Sequence, residues 1–164
     1  MRVVETKVYE YHELSDKAKE KAREWAYEVA CNFQWWDSTY EDAKNIGLKI
    51  TSFDLDRNRH AKGEFLIDWH ACAQKIVSEH GPNCETHKTA KKYIEKSQFL
   101  GFESENPDYE DQMTELEEEF LKELLQDYAI MLQHESDDMA SEEYLREMIE
   151  ANSYTFTEEG KRFG

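Results

Sequence analysis

Five side chains that zinc accepts as ligands lie close together in the middle of the chain: His70, Cys72, His80, Cys84 and His87. A structural zinc site needs four such ligands to converge, and strong zinc motifs place two cysteines two to four residues apart. The pairs His70–Cys72 and Cys84–His87 do not have that spacing. The pattern therefore favours structural roles for these residues, and we expect no metal or other cofactor.

Two carboxylates, Asp54 and Asp56, alternate along a predicted strand and would share one of its faces. A pair of this kind is suited to acid–base chemistry. The segment also resembles the start of a calcium-binding loop, but Arg59 stands where the turn requires glycine, and Phe65 stands where the loop requires glutamate. Because basic residues follow closely, a solvated strand end is favoured.

Motifs of the common enzyme classes are absent from the sequence. It contains no G-x-S-x-G nucleophile elbow, no phosphate-binding loop and no dinucleotide-binding fingerprint. No residue can be named as catalytic, and we predict that the protein is not an enzyme. The alternative is a small enzyme or metal protein centred on a hairpin predicted from strands over residues 48–56 and 64–67, or on the His/Cys group.

A basic face is predicted on the helix that follows Gly81 and Pro82, formed by Lys88, Lys91, Lys92 and Lys96. In a helix-turn-helix these lysines would meet DNA phosphates. Base readout usually needs Arg, Asn or Gln at the helix start, and here that start is Asn83, Cys84 and Glu85. Because of the basic face, an antitoxin or regulator that binds DNA through these lysines is kept as a second hypothesis.

The net charge of −17 is concentrated in the last third of the chain. Residues 1–100 contain 17 acidic and 16 basic side chains, whereas residues 101–164 contain 20 and 4. Such asymmetry affects the choice of partner rather than the fold. It disfavours direct contact with nucleic acid and favours a basic protein partner.

Acidic residues are densest at the start of the longest predicted helix, 108–135. They are Asp108, Glu110, Asp111, Glu115, Glu117, Glu118 and Glu119. In a helix their spacing is about 2.6 Å per charge, between the ~1.7 Å of duplex DNA and the ~3.4 Å of one strand. We expect this surface, with Glu142 and Glu143, to contact a basic protein that binds nucleic acid. In one version of this hypothesis the surface mimics nucleic acid. The alternative is an ordinary solvated face.

The same helix carries an apolar stripe at steps of three and four, formed by Met113, Leu116, Phe120, Leu124, Tyr128 and Met131. A broad stripe fits a core or a homodimer equally well. The first helix is predicted to start at Ser15 and to turn inward Ala18, Ala22, Trp25, Val29 and Phe33.

Strands are predicted over residues 2–11, 48–56, 64–67 and 153–157, between and around these helices. We predict one α+β domain over residues 1–164. It would have a small antiparallel sheet of three to four strands and five to six helices, including the long acidic amphipathic helix. No apolar run is long enough to cross a membrane, and the first residues lack the apolar core of a signal peptide. Three cysteines then favour a reducing cytoplasm.

Three passages resemble a family of small acidic proteins encoded by bacteriophages and prophages, some of them labelled antitoxin-like. They are ELSDKAKEKAREWAYE, WWDSTYEDAKNIGLKITSFDLDR and ANSYTFTEEGKR. The resemblance implies a phage accessory protein that acts in the cytoplasm of the bacterial host cell. It raises the expectation of an anti-defence inhibitor of a CRISPR effector, a restriction enzyme or a toxin. It assigns no catalytic residue.

Overall fold

A computed structural model describes residues 1–102 and 105–163. The elements follow the order β1 (Tyr9–Glu10), a 3-10 turn (Tyr11–Glu13), α1 (Asp16–Asn32), α2 (Asp37–Asn45), β2 (Leu48–Asp54), β3 (His60–Phe65), α3 (Trp69–Glu79), α4 (Glu85–Gly101), α5 (Tyr109–Met139), α6 (Glu142–Ala151) and β4 (Thr155–Phe156). The predicted α+β class is confirmed. Within the described ranges no helix combines the length and apolar character that crossing a bilayer requires.

The strands form two separate antiparallel pairs, β1 with β4 and β2 with β3, instead of one sheet. Residue contacts also divide the chain into two compact units, although we predicted one domain. The first unit comprises Met1–Trp35 and Glu135–Gly164, and the second comprises Trp36–His134. Each unit has its own hydrophobic core.

The first unit is built on α1, whose buried face consists of alanines at every fourth position: Ala18, Ala22, Ala26 and Ala30. Such small side chains allow close packing against Leu145, Ile149 and Phe156. The predicted inward position of Phe33 is wrong, because α1 ends at Asn32 and the Phe33 side chain is 67% exposed. Ser15 caps the helix as predicted, and its Oγ accepts a hydrogen bond from the Ala18 amide at 3.3 Å.

The predicted N-terminal strand is much shorter than expected. Only Tyr9 and Glu10 pair, opposite Phe156 and Thr155. The partner β4 is only two residues long, so its pairing with β1 ends there. Residues 1–8, all of them described, have no regular structure and are exposed.

The second unit packs the β2–β3 hairpin and helices α2 to α4 around α5. Phe120, Leu124 and Tyr128 of α5 are completely buried in its core. The hairpin register shifts between Ile50 and Ser52, as at a β-bulge. At Gly63 a β-carbon would collide with the Lys49 carbonyl group, so the close approach of the two strands requires glycine there.

Candidate acidic interaction surface

The N-terminal half of α5 separates apolar and acidic side chains onto different sides. Leu116 and Phe120 are buried. Exposed carboxylates three or four residues from Glu115 follow the outer side together with it, and we call this set the acidic stripe: Asp111, Glu115, Glu118 and Glu119. Because α5 begins at Tyr109, Asp111 also lies in the first turn, where the helix dipole favours a negative charge.

The other predicted acidic residues of this region lie outside the stripe. Glu110 and Glu117 are seven residues apart and therefore share a different side of α5, where Glu117 is half-buried. Asp108 precedes the helix, and its amide donates a hydrogen bond to Asn106 Oδ1 at 2.9 Å. The seven carboxylates thus occupy at least two directions around the helix axis.

The acidic stripe forms no ion pair among the residues that the structure describes. Across residues 1–102 and 105–163, no Lys, Arg or His nitrogen lies within 4.0 Å of the carboxylates of Asp108, Glu110, Asp111, Glu115, Glu117, Glu118 or Glu119. Like charges at these spacings repel one another along a helix. The stripe therefore carries net charge that a basic partner would relieve.

Glu142 and Glu143 belong to the first unit, in the first turn of α6. Ser141 caps this helix, and its Oγ accepts a hydrogen bond from the Tyr144 amide at 3.2 Å. The Glu142 carboxylate lies 3.4 Å from Arg23 Nη1, so its charge is partly balanced. We therefore treat these two glutamates separately from the acidic stripe.

The predicted basic face of α4 is largely engaged by nearby groups. Lys88 pairs with Glu85 at 3.2 Å, and Lys92 pairs with Glu123 of α5 at 2.8 Å. Burial would raise the pKa of Glu123, but hydrogen bonds from Lys92 and Tyr93 outweigh it and lower that pKa. These pairs remove much of the free positive charge that binding to phosphate requires.

The remaining lysines of that face are Lys91 and Lys96. Lys91 is exposed. The Lys96 ammonium group lies 5.0 Å from the centre of the Tyr93 ring, a cation–π distance. The α4 surface is thus a mixture of charges rather than a continuous basic face.

Helices α4 and α5 meet along an antiparallel seam. Thr89 Oγ1 donates a hydrogen bond to Asp127 Oδ2 at 2.6 Å, and burial raises the pKa of Asp127. Further along, the Tyr93 and Phe120 rings lie 5.4 Å apart. Beyond them the seam opens into a groove of about 600 Å³, which we call the α4–α5 groove; it is lined by Lys92, Glu95, Lys96, Phe99, Leu100, Gln112, Glu115, Leu116 and Glu119.

The His/Cys group does not converge on one point. Cys72 is buried in the core, and burial raises the pKa of its thiol to about 12. His70 Nε2 lies 2.9 Å from Ser97 Oγ, while Cys84 is exposed at the start of α4. Among the described residues, no three His, Cys, Asp or Glu side chains are placed to hold a metal ion.

His80 instead belongs to a polar network inside the second unit. Its Nδ1 lies 2.6 Å from Thr86 Oγ1, and its Nε2 lies 3.3 Å from Asp42 Oδ2. The Tyr128 hydroxyl donates to the same Asp42 oxygen at 2.8 Å. A hydroxyl, an imidazole and a carboxylate in this order resemble a catalytic relay. However, Thr86 is only 3% exposed, so a substrate has no access to its hydroxyl, and the network joins helices.

The paired carboxylates of the hairpin also have a structural explanation. Asp54 Oδ1 accepts a hydrogen bond from the Asp56 amide at 2.9 Å, which shapes the turn after β2. Both side chains are exposed. The arrangement is that of a solvated strand end.

Comparisons of the chain with protein families, with curated proteins and with solved structures find no match. The resemblance to phage proteins therefore stays a prediction from the sequence.

Proposed function

We propose that this protein is a non-enzymatic binding protein whose acidic stripe occupies the nucleic-acid site of a basic host protein. The observation that carries the proposal is the exposed line of four carboxylates without ion pairs in the described chain. A surface of this kind is steered quickly toward a site lined by Lys and Arg at low salt.

The spacing of the stripe supports mimicry of a nucleic-acid backbone. From Asp111 to Glu119 the helix rises about 12 Å, and successive charges are about 6, 4.5 and 1.5 Å apart along the axis, or about 4 Å on average. One strand of duplex DNA carries a charge every ~3.4 Å. The average charge density of the stripe is therefore close to that of one DNA strand, while its individual intervals are uneven.

The resemblance to phage proteins suggests the biological setting of this activity. In that setting the protein acts in the bacterial cytoplasm, and its target is a CRISPR effector, a restriction enzyme or a toxin. A member of these classes that binds nucleic acid would present a basic surface to it. The ion pairs of Lys88 and Lys92 make the competing hypothesis, a DNA-binding antitoxin, the weaker of the two.

The test is charge reversal on the acidic stripe, with a matched reversal elsewhere. One variant carries Glu115→Lys, Glu118→Lys and Glu119→Lys. The control carries Glu20→Lys, Glu24→Lys and Glu28→Lys, which are three exposed glutamates on α1 of the first unit. Both variants change the net charge equally, so only the position of the charge differs.

Each immobilised protein is incubated with bacterial lysate at about 50 mM and about 500 mM salt, a range over which surface charges become strongly screened. We expect the wild type and the control to retain a basic protein at low salt and to displace nucleic acid from it. The stripe variant should do neither while keeping its helical circular dichroism. Equal retention by a folded stripe variant would contradict the proposal, as would a salt-dependent shift of DNA by the wild type alone.

A further inference from the structure

The α4–α5 groove begins where the polar seam between the two helices stops. Two contacts bridge the seam, Thr89 to Asp127 at 2.6 Å and Lys92 to Glu123 at 2.8 Å. In the same antiparallel register the next pair is Lys96 and Glu119, one turn further along each helix. Although both line the groove, these two side chains form no ion pair with each other. The seam is therefore open at this point.

Apolar side chains and one unsatisfied polar group line the open part. Phe99 is 68% exposed, Leu100 is half-buried, and Leu116 lines the groove although it is only 8% exposed. The Gln112 Oε1 atom is buried and has no hydrogen-bond partner among the described residues. Buried amide oxygens are normally paired, so this one is an exception in the lining of the groove.

The charge around the groove is negative. Three carboxylates line it, those of Glu95, Glu115 and Glu119. Of the two lysines, Lys92 is already paired with Glu123, which leaves only Lys96 to balance them. A cationic occupant is favoured over an anionic one.

The groove and the acidic stripe are one continuous surface, because Glu115 and Glu119 belong to both. Along α4 the lining extends from Lys92 to Leu100, about 12 Å or two helical turns. Two turns are the length over which an amphipathic helix places its apolar side chains into a groove.

We infer, on the basis of the proposed function, that the α4–α5 groove receives an amphipathic helix of the basic partner. One apolar side chain of that helix packs against the exposed Phe99 side chain at the groove. Lysine and arginine side chains next to this anchor meet the acidic stripe. The stripe then steers the partner electrostatically, while the groove selects a partner with a correctly placed apolar anchor.

Two synthetic peptides serve as probes for the full-length protein. The first has about 16 residues, long enough for some helix in water, and combines lysines with leucines and one tryptophan at i, i+4 and i+7. The second keeps the lysines and replaces the apolar residues by serine. It therefore has the same charge as the first peptide but no apolar side chain to enter the groove. Binding is followed by fluorescence anisotropy and by amide chemical shifts of the protein at low salt.

The variant that tests the groove is Phe99→Ser, and Phe33→Ser is its matched control. The two phenylalanines are 68% and 67% exposed, and Phe33 lies in the first unit. We expect Phe99→Ser to weaken the amphipathic peptide about tenfold, as loss of an interface anchor does. Phe33→Ser should leave its affinity unchanged, and the chemical-shift changes should centre on residues 95–100 and 112–119.

The outcomes separate this inference from the proposed function. If both peptides bind equally and Phe99→Ser has no effect, the groove proposal is overturned while the acidic stripe remains supported. If neither peptide binds at low salt, both proposals fail. A wild type that is dimeric by sedimentation, and made monomeric by Phe99→Ser, would show that a second copy occupies the groove instead.

Discussion

Replacing Tyr128 by phenylalanine tests whether the buried polar network stabilises the second unit. The Tyr128 hydroxyl donates to Asp42 Oδ2 at 2.8 Å, and the ring is completely buried. Tyr128→Phe therefore removes one hydrogen bond to a carboxylate and leaves the packing of the ring in place. His80 remains 3.3 Å from the same oxygen.

The expected loss follows from the surroundings of Asp42. Hydrogen bonds to charged groups contribute about 1.5–3 kcal/mol to stability. Removing the donor costs more when the acceptor that remains is buried and has no other partner. The Asp42 side chain is 43% exposed, so water replaces part of the lost donor. We expect the free energy of unfolding to fall by about 1.5 kcal/mol, at the low end of that range.

Urea denaturation followed by circular dichroism measures this change. With a typical urea dependence, the midpoint should fall by roughly 0.5–1.5 M. The matched control is Tyr144→Phe, because Tyr144 is an exposed tyrosine on α6. A surface substitution of this kind should change the free energy of unfolding by less than about 0.5 kcal/mol.

The pH dependence provides a second test of the same network. Burial, and then the nearby Asp42 carboxylate, raise the pKa of Tyr128 well above its usual range. The phenol of Tyr128 ionises near pH ~10 in the unfolded chain but stays neutral in the folded protein. Its contribution to the free energy of unfolding is therefore fully present below pH ~10 and decreases as the pH rises above that value. Because phenylalanine has no ionisable proton, the variant lacks this pH dependence. The difference in free energy of unfolding between wild type and Tyr128→Phe should therefore decrease above pH ~10. An unchanged urea midpoint, or a difference that does not narrow, would refute the reasoning.

Two further predictions concern a backbone position and the thiols. Gly160 has φ +88° and a β-carbon there would collide with a carbonyl group of α1, so Gly160→Ala should lower the free energy of unfolding by about 2 kcal/mol or more. Gly81→Ala, in open space, should change the urea midpoint little, and equal midpoints for both variants would contradict this explanation. Exposed Cys31 and Cys84 should react with a thiol reagent in the folded protein, and Cys72 only after denaturant is added. Rapid reaction of all three thiols would contradict the buried position of Cys72.

The parts of the fold that were predictable are those encoded by local periodicity. Steps of three and four residues identified the buried side of α5, and Leu116, Phe120 and Leu124 lie there. The same pattern failed at Met131, which is 38% exposed. Because an α-helix has about 3.6 residues per turn, Leu132 lies on the buried side at this point instead. The local sequence predicts the helix and the side that is buried, but it does not determine which residues face the core near the end of a long helix.

Long-range pairing was not predictable in the same way. Residues 2–11 have the composition of a strand, but pairing depends on β4, which lies far away in sequence and is too short. Asp42 and Tyr128 are separated by 86 positions, and no spacing rule connects them. The acidic region was visible as composition, whereas its division into a stripe and other sides required the helix register.

The alanine-lined side of α1 has a consequence for the dynamics of the chain. Methyl groups at Ala18, Ala22 and Ala26 bury little apolar area, whereas the second unit buries larger side chains such as Trp69 and Phe120. Local opening requires less free energy where less apolar area is buried. Hydrogen exchange should therefore be faster for the amides of α1 than for those of α5 near Phe120. We therefore expect the first unit to open locally while the N-terminal half of α5, which carries the acidic stripe, stays folded.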